Sequence, residues 1–263
     1  MSEVVLTERH GNVLAIRLNR PDKLNAINEE MTEAQIAAFE AAKADTGVRA
    51  IVLGGTGRGF SAGQDLEAFV RMQTAPEPIS VAEHLKRGYN VVVTQIRTIE
   101  KPVIAALNGI AAGVGLSIAL ACDLRIAADD AILTLGFSKI GLIPDGGASL
   151  MLPVLAGFGR GLELAWSSDK LGAHEAQRIG LVNRVVPAAD FEAETLAYAQ
   201  KFAAVSPVAV GLTKHAFNRA MLPHLKQWLG EEADIQDEAA KGPDLREGVQ
   251  AFMQKRKPEF AAR

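Results

Sequence analysis

The chain has 263 residues, is 48% hydrophobic and 5% aromatic, and carries a formal net charge of −3 with one cysteine. That length supports a large core in one domain, or one domain with a small appendage, and the charge gives no global electrostatic case for a nucleic-acid partner. Cys122 alone excludes a disulfide framework and a cysteine-rich zinc site; with no apolar run of membrane-spanning length and no secretion signal at Met1-Ser2-Glu3-Val4, a soluble cytoplasmic protein with a small-molecule partner is expected.

Val4 to Leu6 and Val13 to Leu18 alternate around His10-Gly11-Asn12, which predicts an amino-terminal hairpin with His10 in the turn. A loop from Arg20 to Ala26 follows, and Asn28 caps a helix running to about Ala44. Arg49 to Leu53 read as a buried strand that empties into Gly54-Gly55-Thr56-Gly57-Arg58-Gly59. This run lacks the Gly-Lys-Ser/Thr ending of a phosphate loop. It also lacks the directly following helix and distant acid of a dinucleotide site, so both are rejected. Phe60 to Leu66 instead expose backbone after a strand. Pro76 and Pro78 mark a mobile loop, and Ser80 to Glu100 read as mostly helical, with Val91, Val92, Ile96 and Ile99 inward.

The centre of the chain is Pro102 to Asp123. Val103 to Leu107 predict a buried strand, Asn108-Gly109 a turn, and Gly113-Val114-Gly115 the start of a helix through Ala121. A helix start leaves about four N–H groups without partners and roughly half a positive charge, which suits a developing oxyanion. Glycines there also serve plain close packing. Leu124 to Ala127 and Ala131 to Leu135 read as strands. Helices follow at Ser149 to Leu155, after Gly157 and at Ala173 to Ile179, then a last strand at Leu181 to Val186. From Asp190 onward every segment has a helical pattern, so the boundary falls between residues 1–189, an α/β core, and 190–263, a helical region. Two strand-to-glycine-loop passages hint at a repeating strand-strand-helix unit.

Among side chains, Asp145 stands out. It follows the mostly apolar Ile140 to Pro144, so partial desolvation would raise its pKa toward the range useful to a general base; Pro-Asp-Gly-Gly is also ordinary turn and cap chemistry. His10, His84, His174, His215 and His224 have no metal-ligand spacing and read as surface or helix residues, so no metal is expected. Ser61 and Ser117 lack a nucleophile elbow. Lys255-Arg256-Lys257 fits a solvated helix end or a phosphate contact.

Five segments stand in the order and spacing of one family: R-P-D-K-L-N-A-I from Arg20, G-T-G-R-G-F-S-A-G-Q-D-L from Gly55, K-P-V-I-A-A-L-N-G-I-A-A-G-V-G from Lys101, D-L-R-I-A-A from Asp123 and G-L-I-P-D-G-G from Gly141. Over essentially its whole length the chain resembles the crotonase, or enoyl-CoA hydratase/isomerase, superfamily. The resemblance implies a spiral of strand-strand-helix units followed by a helical trimerisation region, assembling as a homotrimer or homohexamer. It implies an acyl-CoA substrate and no separate cofactor, since CoA arrives as part of the substrate.

By motif position the backbone N–H groups that hold the thioester oxygen fall on Ala62 and Val114. CoA contacts fall on Lys23, Leu24 and Ala26, on the Ala62 to Leu66 segment with Gln64, Asp65 and Leu66, and on Phe252 and Lys255, the last near phosphate. The two glutamates of the family's hydratases are replaced by Ser117 and Phe137, which then shape the acyl pocket. Asp145 stands where several isomerases and the aryl-CoA dehalogenases of the family carry an aspartate. F-S-K-I-G-L-I-P-D from Phe137 and the ending R-E-G-V-Q-A-F-M-Q-K-R-K-P-E-F resemble a branch that isomerises ring-epoxide CoA thioesters. A CoA-thioester isomerase using Asp145 is therefore expected, with movement of a 3-enoyl double bond as a second activity. A hydratase-type lyase and a non-catalytic CoA-ester-binding scaffold remain the alternatives. A dehalogenase would further need an aromatic pocket and a histidine to activate water.

Overall fold

Strands β3 (Ala50–Gly55) and β5 (Val103–Leu107) are buried at every position, as expected of parallel strands covered on both faces. They form the middle of a six-stranded sheet in the computed structural model, which describes residues 3–77 and 79–260. Around them the order is β1 (Val5–His10), β2 (Val13–Leu18), β3, β5, β7 (Leu124–Ala128) and β10 (Arg184–Val186). The β1–β2 hairpin is antiparallel and the other pairings are parallel. His10 is the last residue of β1, opposite Val13, rather than part of the turn. Helix α1 (Glu29–Ala44) begins at Asn28, whose side chain accepts the Met31 N–H.

A second sheet of four short strands lies alongside: β4 (Gly59–Ser61), β6 (Ile110–Ala112), β8 (Ile132–Thr134) and β9 (Leu171–Gly172). Each long strand of the first sheet hands over to a short one of the second and then to a helix. β3 and β4 lead to α2 (Leu66–Gln73), β5 and β6 to α5 (Gly113–Ala121), and β7 and β8 to α6 (Ala148–Ala156), the last after a 3-10 turn at Phe137–Ile140. The repeat is thus structural, and it delivers the three glycine-bearing loops to one side of the molecule. Helix α5 is buried at every position after Gly113, so it is apolar all round.

The expected helix over 80–100 is two: α3 (Val81–Arg87) and α4 (Tyr89–Thr98), separated at Gly88. Val92, Val93, Ile96 and Ile99 face inward, whereas Val91 is half-buried. The expected loop proline Pro78 lies outside the described residues, as do Met1 and Ser2. Helices α7 (Phe158–Ser167) and α8 (Ala173–Arg178) follow α6, and after β10 the described chain is helical: α9 (Phe191–Ala203), α10 (Pro207–Met221), α11 (Leu225–Ala240) and α12 (Pro243–Met253). These helices pack back on the strands and helices before them. The Lys214 ammonium of α10 reaches Asp123 at 2.7 Å, beside Arg97 of α4, which pairs with the same carboxylate at 3.0 Å. α11 lies against α3 and α4, and α12 against the Phe137–Ile140 turn.

Candidate active site

Residues 24–27 and 62–65 run side by side and are joined like a short parallel ladder. The Ala62 N–H donates to the Leu24 carbonyl at 2.8 Å, Ile27 N–H to Gly63 at 2.7 Å, and Asp65 N–H to Ile27 at 2.9 Å. Gly63 N–H is taken by the Ser61 hydroxyl at 3.1 Å. Among the described residues this leaves Gln64 as the one amide of 62–65 that donates to nothing. The amide expected at Ala62 is therefore spent inside the loop, and the free donor is two residues on, because Gly63, at a φ of +89°, breaks the extended alternation that would have set Ala62 and Gln64 facing the same way.

The second donor is Val114, in the first turn of α5. Its preceding N-cap is Ala112, which offers no side-chain acceptor, so the first-turn amides stay open. The two loops touch through glycine: a Cβ on Gly63, whose φ is +89°, would stand 2.8 Å from the Ala112 carbonyl and 3.4 Å from Gly113 Cα. On Gly115 it would strike the Ser61 side chain at 2.6 Å. Gln64 and Val114 accordingly line one cavity, together with Leu66, Phe69, Val81, His84, Leu85, Tyr89, Phe137, Ile140, Leu142 and Asp145.

Among the described residues Asp145 is the single carboxylate in that lining, and it is 6% exposed. It does not cap the following helix, since the N-cap of α6 is Gly147. Burial pushes its carboxyl up to about 7, against the hydrogen bond from Gln236, with the negative charge of Glu232 adding to the rise. The Gln236 Nε2 donates to Oδ2 at 3.0 Å, while Oδ1 is buried without a partner among the described residues. A carboxylate with a free oxygen, aimed into a cavity and poised near neutral pH, can both take and return a proton.

Opposite lies a polar cluster absent from the sequence-based expectation. The Tyr89 hydroxyl donates to the Gln64 side-chain oxygen, and His84 Nε2 lies 3.1 Å from that oxygen. Burial lowers the His84 pKa and raises that of Tyr89 well above its usual value. His84 is indeed in a helix, α3, but its ring lines the cavity. Its signal in the sequence was only its place on the buried side of a short amphipathic stretch.

The remaining expected residues divide. Phe137 lines the cavity; Ser117 is fully buried beneath the Gly146 turn, its hydroxyl donating to the Gly113 carbonyl at 3.3 Å. Lys23 is exposed and pairs with Glu67 at 3.0 Å; Leu24 and Ala26 lie on the ladder segment, with the Ala26 carbonyl accepting from Arg20. Asp65 is not available to a ligand: it caps α2 through the Ala68 N–H and pairs with Arg20 at 2.8 Å. Leu66 joins Gln64 in the lining. Phe252 is exposed at the end of α12 and Lys255 follows it in a left-handed turn; neither lines the cavity.

Residues 8–263 match the enoyl-CoA hydratase/isomerase family profile. The chain belongs to the enoyl-CoA hydratase/isomerase family. Within it, the chain is 38% identical to the 1,2-epoxyphenylacetyl-CoA isomerase of Escherichia coli, covering 100% of both proteins. It is 40% identical to a probable enoyl-CoA hydratase of Rhodobacter capsulatus, covering 94% of each. Among solved structures, an enoyl-CoA hydratase from Mycobacterium avium subsp. paratuberculosis superposes with a TM-score of 0.88 at 36% identity, over 98% of this chain and 99% of that one. The strand-strand-helix repeat is therefore the crotonase spiral, and the chain is an enzyme of that family.

Proposed function

We propose that the enzyme is a CoA-thioester isomerase in which Asp145 alone moves the proton while the backbone amides of Gln64 and Val114 hold the thioester oxygen as an enolate. The observation that carries this is the lining itself: one carboxylate among the described residues, with Phe137 at one of the two positions matched to hydratase glutamates, while Ser117, at the other, is buried outside the lining. In a 3-enoyl thioester, Asp145 removes a proton from the α-carbon, charge delocalises onto the thioester oxygen, and the same carboxyl returns the proton at the γ-carbon, leaving a 2-enoyl thioester. Atoms balance without water or cofactor. Two donors aimed at the enolate are each worth about 3 kcal/mol on removal.

The finer reading is a 1,2-epoxyphenylacetyl-CoA isomerase, converting the ring epoxide to the seven-membered oxepin thioester. It is supported by the Escherichia coli relative and by an aromatic wall of Phe69, Tyr89 and Phe137 suited to an aryl acyl group. The CoA would lie along Lys23, Leu24 and Ala26, with Phe252 and Lys255 reaching it at the far end. A trimer or hexamer is supported by the exposed apolar side chains of α10, Val208 and Leu212 on one flank and Phe217 and Met221 on the other. The test is turnover of ring-epoxide CoA, 3-enoyl-CoA and crotonyl-CoA by wild type and Asp145→Asn. Isomerisation that vanishes in the variant is expected. Rapid hydration of crotonyl-CoA would instead establish the hydratase reading, and binding without any turnover the scaffold.

A further inference from the structure

Glu232 and Gln236 stand four residues apart on α11, hence on one face of the helix, and both reach the loop that carries Asp145. Glu232, itself buried, accepts the Gly147 N–H at 2.7 Å, the Ser149 N–H at 3.1 Å and the Ser149 hydroxyl. It thus closes the open amino end of α6 just beyond the aspartate. Gln236 is wholly buried. Its Oε1 accepts the Ile143 N–H at 2.9 Å, and its Nε2 donates to the Ile143 carbonyl at 2.8 Å and to Asp145 Oδ2 at 3.0 Å. A side-chain amide fastened to both backbone groups of one residue has no freedom to turn. The donor directed at Asp145 is therefore fixed in direction as well as distance.

We propose that Gln236 is a positioning residue for proton transfer: by engaging Oδ2 it fixes the carboxylate plane and leaves Oδ1, the unpartnered oxygen, as the atom that takes and returns the substrate proton. This rests on the reading of Asp145 as the acid–base group. The surroundings make the effect large. Glu232 adds its negative charge near the carboxylate; Tyr89 of α4, His84 of α3 and the Gln64 side chain complete the polar groups of the cavity lining, which among the described residues contains no lysine or arginine. In a site without a cation, one neutral donor is the principal group that favours the ionised carboxylate.

The experiment compares Gln236→Met, similar in length but without the donor, with wild type and Asp145→Asn, following 3-enoyl-CoA isomerisation against pH. The Met variant is expected to lose about tenfold or more in kcat with KM within about twofold. The acid limb of its kcat/KM profile should move upward by about half a pH unit or more. A merely structural role would lower stability and leave that limb in place. A folded Gln236→Met enzyme with wild-type kcat and an unmoved limb overturns the inference. If that occurs while Asp145→Asn is inactive, the acid–base reading survives and only the positioning role fails; an active Asp145→Asn removes both. Should Gln236→Met fail to fold, Gln236→Glu carries the test. Its carboxyl can still accept the Ile143 N–H, but it carries at most one proton for two acceptors and, once ionised, sets a negative charge against Asp145, so its limb moves upward, and an unmoved limb again overturns the proposal.

Discussion

Two sheltered aspartates show how one side chain serves opposite ends. Asp123, just beyond α5, receives Arg97 at 3.0 Å, Lys214 at 2.7 Å and the Val103 N–H at 2.8 Å, and so ties α4, α10 and β5 together. Asp145 receives one neutral amide, keeps an oxygen without a partner among the described residues, and feels the negative charge of a second carboxylate, Glu232. A carboxylate matched by cations is committed to structure; one left unmatched in a cavity keeps its proton affinity for chemistry.

The contrast breaks most visibly at Asp145. Asp145→Asn should lower isomerase kcat by about a thousandfold, the scale of lost general acid–base catalysis, in a turnover assay. The same change should stabilise the protein at pH 8. The folded carboxyl sits at about 7 against 3.8 when unfolded, so the folded state binds its proton more tightly. Stability is lost as pH rises from about 4 to 7, by up to ~4 kcal/mol, and the variant escapes that loss. Thermal denaturation at pH 8 and pH 5 checks the sign: the gain should shrink at the lower pH.

Asp123 should give the reverse. Asp123→Ala leaves Arg97 and Lys214 unpaired, and a loss of about 3 kcal/mol in denaturant unfolding is expected with kcat of the folded fraction unchanged. Third in size is Gly63→Ala. The new methyl meets the Ala112 carbonyl at 2.8 Å in a backbone of φ +89°, pushing the Gln64 and Val114 amides apart. A fall of about a hundredfold in kcat with a smaller change in KM would sharpen the claim that these two amides hold the enolate.

Much of this was readable beforehand. The β5 to α5 passage appears with its bounds as expected, because a short apolar run ending in Asn-Gly and a glycine-led helix are local signals. The three-residue strands β4 and β6 have no period to detect, and α2 was hidden because its amphipathic stretch is only eight residues long. Asp145 was visible from its apolar lead-in. That the Ala62 amide is bonded and the Gln64 amide free was not legible in the local sequence, since which N–H groups stay free depends on pairing with residues 24–27. Gln236 is 91 residues from the carboxylate it holds, and nothing along the chain links the two.

The most direct test of a lone, uncompensated acid is the pH dependence of kcat/KM for a 3-enoyl-CoA. With Asp145 titrating at about 7, the rate should be half-maximal near that pH and fall about tenfold per unit below it. A profile that stays flat down to pH 5 would contradict the account.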